Sequence, residues 1–104
     1  MARMTDFTLR VLEALQDIPM GKVATYGMVA RMLGDRNLSR AVGNALHKNK
    51  DWKTYPCHRV VNSQGRLAEN FGMGGPLVQK ERLEAEGIVV KDMKVDLKKY
   101  LMDY

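Results

Sequence analysis

A cysteine followed directly by a histidine, in Pro56-Cys57-His58-Arg59-Val60-Val61, is the segment of this chain best equipped for chemistry. A thiol is a poor nucleophile at its ordinary pKa of ~8.5, and a base that removes its proton, directly or through one water, supplies the reactive thiolate. Neighbouring side chains on an extended strand point to opposite faces, so His58 can serve Cys57 only if the chain bends at Pro56-Cys57. The same residues also fit a buried, inert cysteine beside a hydrogen-bonded histidine. A metal site would have to draw on Cys57, His47 and His58, which lack the spacing of a ligand motif. A Cys-His-Asn peptidase set is available from Cys57, His58 and Asn49, although so short a chain leaves little scaffold for a substrate cleft.

Cys57 is the single cysteine among 104 residues, which excludes an intramolecular disulfide and a cysteine-rich zinc site. The length suits one domain spanning residues 1–104. With 45% hydrophobic and 28% charged residues the composition is that of an ordinary globular protein. No apolar run approaches the ~18 residues of a membrane span, and the N-terminus lacks the apolar stretch of a secretory signal, so a cytoplasmic protein is expected. Seventeen Lys and Arg against twelve Asp and Glu give a net charge of +5. The first fifty residues hold eight basic and four acidic side chains, the remainder nine and eight, so the positive field lies mainly in the N-terminal half. Such a field is compatible with a polyanionic partner.

The elements that must position these residues follow from periodicity and punctuation. Thr5 can cap a helix carrying the apolar stripe Phe7, Val11, Leu12 and Leu15, ended by Pro19 and Gly21. Thr25 can cap a short second helix with Met28, Val29, Met32 and Leu33 on one face and Gly34 at its end. Asn37 can cap a third, whose stripe is Leu38, Val42, Ala45 and Leu46. Two short helices joined through a glycine form a helix-turn-helix pattern. The outer face of the third helix presents Arg40, Ala41, Gly43 and Asn44, small enough for close approach to a nucleic-acid backbone, with Arg36, Lys48 and Lys50 beside it. A polar loop from Asn49 leads to the Cys-His segment, and Asn62-Ser63-Gln64-Gly65 is a turn. The glycine-rich Phe71-Gly72-Met73-Gly74-Gly75 precedes Pro76, which suits the first position of a helix running to about Glu86 and closed by Gly87. Ile88-Val89-Val90 and Val95 to Leu101 read as short strand-like pieces.

Arg40-Ala41-Val42-Gly43-Asn44-Ala45, then Asn49, then Pro56-Cys57-His58-Arg59-Val60-Val61, resembles the signature of the O6-alkylguanine-DNA alkyltransferases, single-turnover DNA repair proteins. Ile18 to Gly27 resembles the family's entry into the helix-turn-helix, and Leu83-Glu84-Ala85-Glu86-Gly87 its final helix, so the likeness spans roughly residues 6 to 87. The resemblance implies a mainly α fold with short strands, a helix-turn-helix DNA-binding domain of winged-helix type. It implies that Cys57 accepts the alkyl group irreversibly, that His58 acts through a water as base, that Glu86 holds the other imidazole nitrogen, and that Asn49 braces the loop. It also implies minor-groove docking of residues 38–48 through Ala41, Gly43 and Ala45, with Arg40 filling the stack vacated by a flipped nucleotide and Tyr26 pressing on the backbone phosphate. Arg59 is expected among the DNA contacts. No cofactor is implied; the partner is double-stranded DNA containing alkylated guanine, and a monomer away from membranes, associated with the nucleoid, is expected.

Three features depart from that pattern. Full-length alkyltransferases carry an additional N-terminal domain, whereas this chain is expected to begin at the DNA-binding unit. The loop after Val61 is about two residues longer than usual, and Gly72-Met73-Gly74-Gly75 stands where the family commonly shows Tyr-Ser-Gly-Gly. The tail from Gly87 to Tyr100 resembles the alkyltransferase-like branch, which binds alkylated guanine without repairing it and commonly has tryptophan in place of the acceptor cysteine. A second expectation therefore stands beside self-alkylation: a non-catalytic sensor that hands the lesion to a repair-pathway protein.

Overall fold

Thr5 caps the first helix, its hydroxyl oxygen accepting from the Thr8 N–H at 3.1 Å, and α1 runs Asp6–Ala14. The computed structural model describes residues 5–69, 71–72 and 74–104; residues 1–4, Asn70 and Met73, including the start of the chain and the middle of the glycine-rich loop read above, lie outside the described residues. The α1 stripe buries Val11 and Leu12, and a 3-10 turn at Leu15–Asp17 carries the buried surface on through Leu15 to Ile18. β1 (Ala24–Thr25) then leads into α2 (Tyr26–Met32), whose N-terminus is held by the Thr25 hydroxyl accepting from the Met28 N–H at 3.1 Å. Gly34, at φ +97°, makes the left-handed turn that ends α2.

The cap expected at Asn37 lies elsewhere. Asp35, in extended conformation, accepts from the Asn37 N–H at 2.9 Å and opens a 3-10 turn, Arg36–Leu38, that runs straight into α3 (Ser39–Leu46). Asn37 therefore sits inside a turn already started by Asp35, whose carboxylate accepts from the Asn37 N–H itself. Val42 and Ala45 of α3 bury against α1 and α2, which completes the expected helix-turn-helix unit.

A 3-10 turn at Cys57–Arg59 feeds β2 (Val60–Val61), which pairs parallel to β1 with Ala24 opposite Val60 and Thr25 opposite Val61. This short pair divides two cores. Ala24 and Val60 join Val11, Leu12, Val29 and Val42 beneath the helix-turn-helix, whereas Val23 and Val61 point into a second cluster with Leu67, Leu83, Ile88, Val95 and Tyr100. α4 (Pro76–Ala85) covers the second cluster through Leu83. β3 (Val90–Lys91) and β4 (Lys94–Val95) form an antiparallel hairpin whose turn residues Asp92 and Met93 both have positive φ, the backbone of a tight two-residue turn.

The strand-like reading of Val95 to Leu101 is corrected. Its two ends keep β character, Val95 in a strand and Leu101 in an isolated parallel bridge to Val23, but between them Asp96 accepts from the Lys98 N–H at 3.0 Å and starts a helical turn, α5 (Leu97–Tyr100). That turn buries Tyr100, whose hydroxyl accepts from the Val89 N–H, while its carbonyl accepts from the Val23 N–H. In the earlier piece only Val90 is in a strand, with Ile88 in the second core and Val89 exposed. Among the described residues no helix is long and apolar enough to cross a membrane.

Candidate active site and nucleic-acid interface

The bend that the Cys-His segment requires is present. Pro56 carries ψ 71°, and the 3-10 turn that follows is closed by the Arg59 N–H donating to the Pro56 carbonyl at 3.0 Å. The Tyr55 carbonyl accepts twice, from the Cys57 N–H at 2.7 Å and from Asn49 Nδ2 at 2.8 Å. Asn49, 5% exposed, thus ties the end of α3 to the turn that carries the thiol. Cys57 is buried at the edge of a pocket of about 130 Å³ lined also by Tyr26, Gly43, Asn49, Val60 and Phe71. The β1–β2 pairing sets this proximity, since Tyr26 directly follows β1 and Cys57 lies just before β2.

Behind the thiol, His58 is 2% exposed and its Nε2 lies 2.9 Å from Glu86 Oε2. Glu86 follows α4, where Gly87, at φ +85°, reverses the chain so that the Ile88 N–H reaches the Leu83 carbonyl. Arg59 grips the same carboxylate with Nε on Oε1 at 2.9 Å and Nη2 on Oε2 at 2.7 Å, and its Nη1 donates to the Ile18 carbonyl at 2.8 Å. The Arg59 guanidinium, expected among the DNA contacts, is therefore engaged inside the fold, because a bidentate carboxylate partner lies within its reach.

Burial alone would raise the Glu86 pKa, but hydrogen bonds from Arg59 and His58 outweigh it and hold the carboxyl below its ordinary value. An ionised Glu86 accepts only, so His58 Nε2 carries the proton and Nδ1 presents its lone pair. That Nδ1 is buried and has no hydrogen-bond partner among the described residues. Burial holds the His58 pKa below 6.5 against the pull of Glu86, so the imidazole is neutral near pH 7. Burial likewise raises the Cys57 thiol, opposed by a hydrogen bond from Asn49 and by the charge of Arg82, while Tyr26 is raised by burial and by its proximity to Cys57. The arrangement is a protonated thiol followed in the chain by a neutral imidazole of fixed tautomer.

α3, which lines the pocket through Gly43, exposes Arg40 and leaves Ala41 and Gly43 half-buried, and Gly43 faces the Tyr26 ring. Three contributors had no sequence signal. Gln79, wholly buried on α4, donates from Nε2 to the carbonyls of His58 and Val60 and accepts from the Ala68 N–H. Trp52 stands edge-on to His58, and Arg82 stacks on Trp52. Among the described residues no group of three or more His, Cys, Asp and Glu side chains is gathered as a metal site would need.

A helix-turn-helix unit whose second helix borders a pocket holding a buried thiol, with a buried histidine–glutamate pair next to it in the chain, is the architecture of a class of DNA-binding domain. The chain belongs to the O6-methylguanine-DNA methyltransferase family: residues 6–88 match the model described as 6-O-methylguanine DNA methyltransferase, DNA binding domain. It is 40% identical over 99 residues to a DNA base-flipping protein of Vibrio parahaemolyticus, covering 93% of this chain and 96% of that one. A crystal structure of Schizosaccharomyces pombe Atl1 in complex with damaged DNA containing O6-carboxymethylguanine superposes with a TM-score of 0.87 at 35% identity, covering 99% of this chain and 100% of that one. The O6-methylguanine methyltransferase of Mycobacterium tuberculosis matches with a TM-score of 0.73 at 39% identity over 81% of this chain, which spans 50% of that one.

Proposed function

We propose that this protein docks α3 in the minor groove of duplex DNA, rotates an O6-alkylguanine into the pocket between Tyr26 and Phe71, and transfers the alkyl group to Cys57. The observation that carries this reading is the Glu86–His58 pair, which leaves a buried imidazole lone pair next in sequence to a pocket-lining thiol. In the transfer, a water between the thiol and Nδ1 relays the Cys57 proton to His58. The sulfur attacks the alkyl carbon, the S–C bond forms as the C–O6 bond breaks, and the released electron pair stays on guanine, which takes up the proton. The product is an S-alkyl Cys57 and an unmodified guanine, with no step that regenerates the thiol.

Arg40, exposed at the start of α3, fills the gap left by the flipped base, and Ala41 and Gly43 allow the helix close to the groove floor. Flipping costs a few kcal/mol, which such a wedge offsets. Tyr26 presses on the backbone at the pocket mouth. Asn49 acts on the site by fixing the Cys57 turn, and Arg59 by fixing Glu86. The chain works as one domain and a monomer.

A second reading is a lesion sensor in which the bound base is held for a further repair protein. It is favoured by the relatives that match over nearly their whole length, which are named as alkyltransferase-like and base-flipping proteins. One experiment separates the two: intact-protein mass spectrometry after incubation with a duplex containing one O6-methylguanine, followed by peptide mapping. Gain of one CH2 on Cys57 is the result expected for the acceptor. Tight, lesion-specific binding with no mass gain overturns transfer and leaves the sensor.

A further inference from the structure

Arg82 takes no part in the relay described above, and its surroundings are unusual for a cation. Its guanidinium carbon lies 4.0 Å from the Trp52 ring centroid and 5.6 Å from that of Phe71, which itself lines the pocket. Trp52 in turn meets His58 edge-on, with ring centroids 5.7 Å apart. Arg82 Nη1 is buried with no hydrogen-bond partner among the described residues, and the ion pairs of α4 and its C-terminus, Lys80–Glu84 and Arg59–Glu86, leave Arg82 without a carboxylate. None of the residues outside the described set is acidic. Arg82 is half-buried, so its guanidinium is partly withdrawn from water without a counter-ion, and stacking on aromatic faces offsets part of that cost. Its positive charge acts on the Cys57 thiol across the Phe71 side of the pocket.

We propose that Arg82, clamped between Trp52 and Phe71, is an electrostatic positioning residue of the Cys57 site, its uncompensated cation stabilising the negative charge that gathers on Cys57 Sγ as the proton leaves. The inference rests on the acceptor reading and names the group that tunes it. Within the site the Arg82 charge lowers the pKa of both Cys57 and His58, favouring a thiolate beside a neutral imidazole. The other charged or titratable groups facing this region are Tyr26 from α2, His47 and Lys50 just beyond α3, Lys53 at 6.0 Å from the Trp52 ring centroid, and His58, Arg59 and Glu86. Arg59 is paired with Glu86, and His47, Lys50 and Lys53 are exposed where water screens them, so among the described residues Arg82 is the cation whose field is least compensated.

The test is the pH profile of Cys57 alkylation by iodoacetamide, followed by intact mass, for the wild-type chain, Arg82→Leu, Arg82→Lys and Trp52→Leu. Iodoacetamide reads the thiolate without requiring a lesion or base flipping. Arg82→Leu is expected to move the profile upward by about one pH unit, slowing reaction at neutral pH roughly tenfold, because one pKa unit is tenfold in thiolate. Arg82→Lys, which keeps the charge, restores most of the wild-type profile, and Trp52→Leu, which loosens the cation, falls between. An Arg82→Leu profile that superposes on wild type overturns the proposal. Should Arg82→Leu fail to fold, Arg82→Gln carries the same two outcomes. Failure of wild-type protein to take a methyl group from DNA overturns the acceptor reading alone, and the iodoacetamide profile still reports on Arg82.

Discussion

Gln79 Nε2 donates to the His58 carbonyl at 3.1 Å from a side chain with no exposed surface. The same amide donates to the Val60 carbonyl at 2.9 Å, and its oxygen accepts from the Ala68 N–H at 2.8 Å. One side chain on α4 thus satisfies three backbone groups around the Cys57–Arg59 turn. Gln79→Leu keeps the volume and strands all three in an apolar setting. A loss of about 2–4 kcal/mol in unfolding free energy is expected, since each buried unsatisfied group costs ~1–3 kcal/mol. Urea unfolding measures it, and a loss below about 1 kcal/mol would mean that water or relaxation replaces the amide.

The shifted groups bound the pH range of stability. His58 is held below its ordinary 6.5 and Glu86 below 4.5, so as pH falls through those values the unfolded chain binds protons that the folded chain resists. Stability is expected to decline from about pH 6.5 downward, in two stages. Cys57 and Tyr26 are raised above 9.0 and 10.0, so as pH rises past 9 the unfolded chain releases protons first and stability declines again. Thermal melts across pH 4–10 should give a plateau between roughly 6.5 and 9. His58→Gln flattens the upper part of the acid limb; an unchanged limb assigns the loss to other groups.

The legible parts of this molecule are those whose information is local. Thr5 and Thr25 precede apolar stripes and do cap them, and the proline-cysteine bend is where the proline demands it. Cys57 and His58 draw attention because they adjoin, whereas Glu86, 28 residues from His58, is reached in the sequence only through the family resemblance. Gln79, Trp52 and Arg82 gave no signal because their roles arise only when α4 and the loop after α3 meet over the same histidine. α5 reads as strand-like in the sequence because its four-residue helical turn rests on Asp96 and on the burial of Tyr100, neither of which the local pattern registers.

Glu86→Gln separates charge from shape at the relay. The amide oxygen can still accept from His58 Nε2, but it no longer holds the imidazole by charge or stabilises it once protonated. Transfer to Cys57 is expected to slow by about 10²-fold or more, within the ~10²–10⁴ range of general-base catalysis, while lesion affinity stays near wild type. Quenched time courses read by mass spectrometry, beside fluorescence anisotropy on the same duplex, give both quantities. An unchanged transfer rate would remove Glu86 from the mechanism.

Arg40→Ala tests the wedge. Arg40 is exposed at the first turn of α3, so its removal leaves the fold intact. Affinity for an O6-methylguanine duplex is expected to fall about tenfold more than affinity for undamaged DNA, roughly 1.4 kcal/mol of lost support for the flipped state. If both affinities fall equally and the salt dependence flattens, Arg40 is a phosphate contact instead.

Gly43 sets folding against function at a single methyl group. It lies inside α3, where glycine is less favourable than alanine by roughly 0.5–1 kcal/mol. A Cβ there meets Tyr26 Cε1 at 3.9 Å, an ordinary contact, so nothing among the described residues opposes it. Gly43→Ala should therefore raise the melting temperature. The same methyl group projects toward the pocket that Gly43 lines and stands on the face proposed to enter the groove, so affinity for the lesion duplex should fall. Differential scanning fluorimetry and anisotropy titration on one preparation read both effects. Opposite signs mark Gly43 as a position where stability is given up for close approach to DNA; a stabilised variant that binds as well as wild type would place the groove contact elsewhere on the protein.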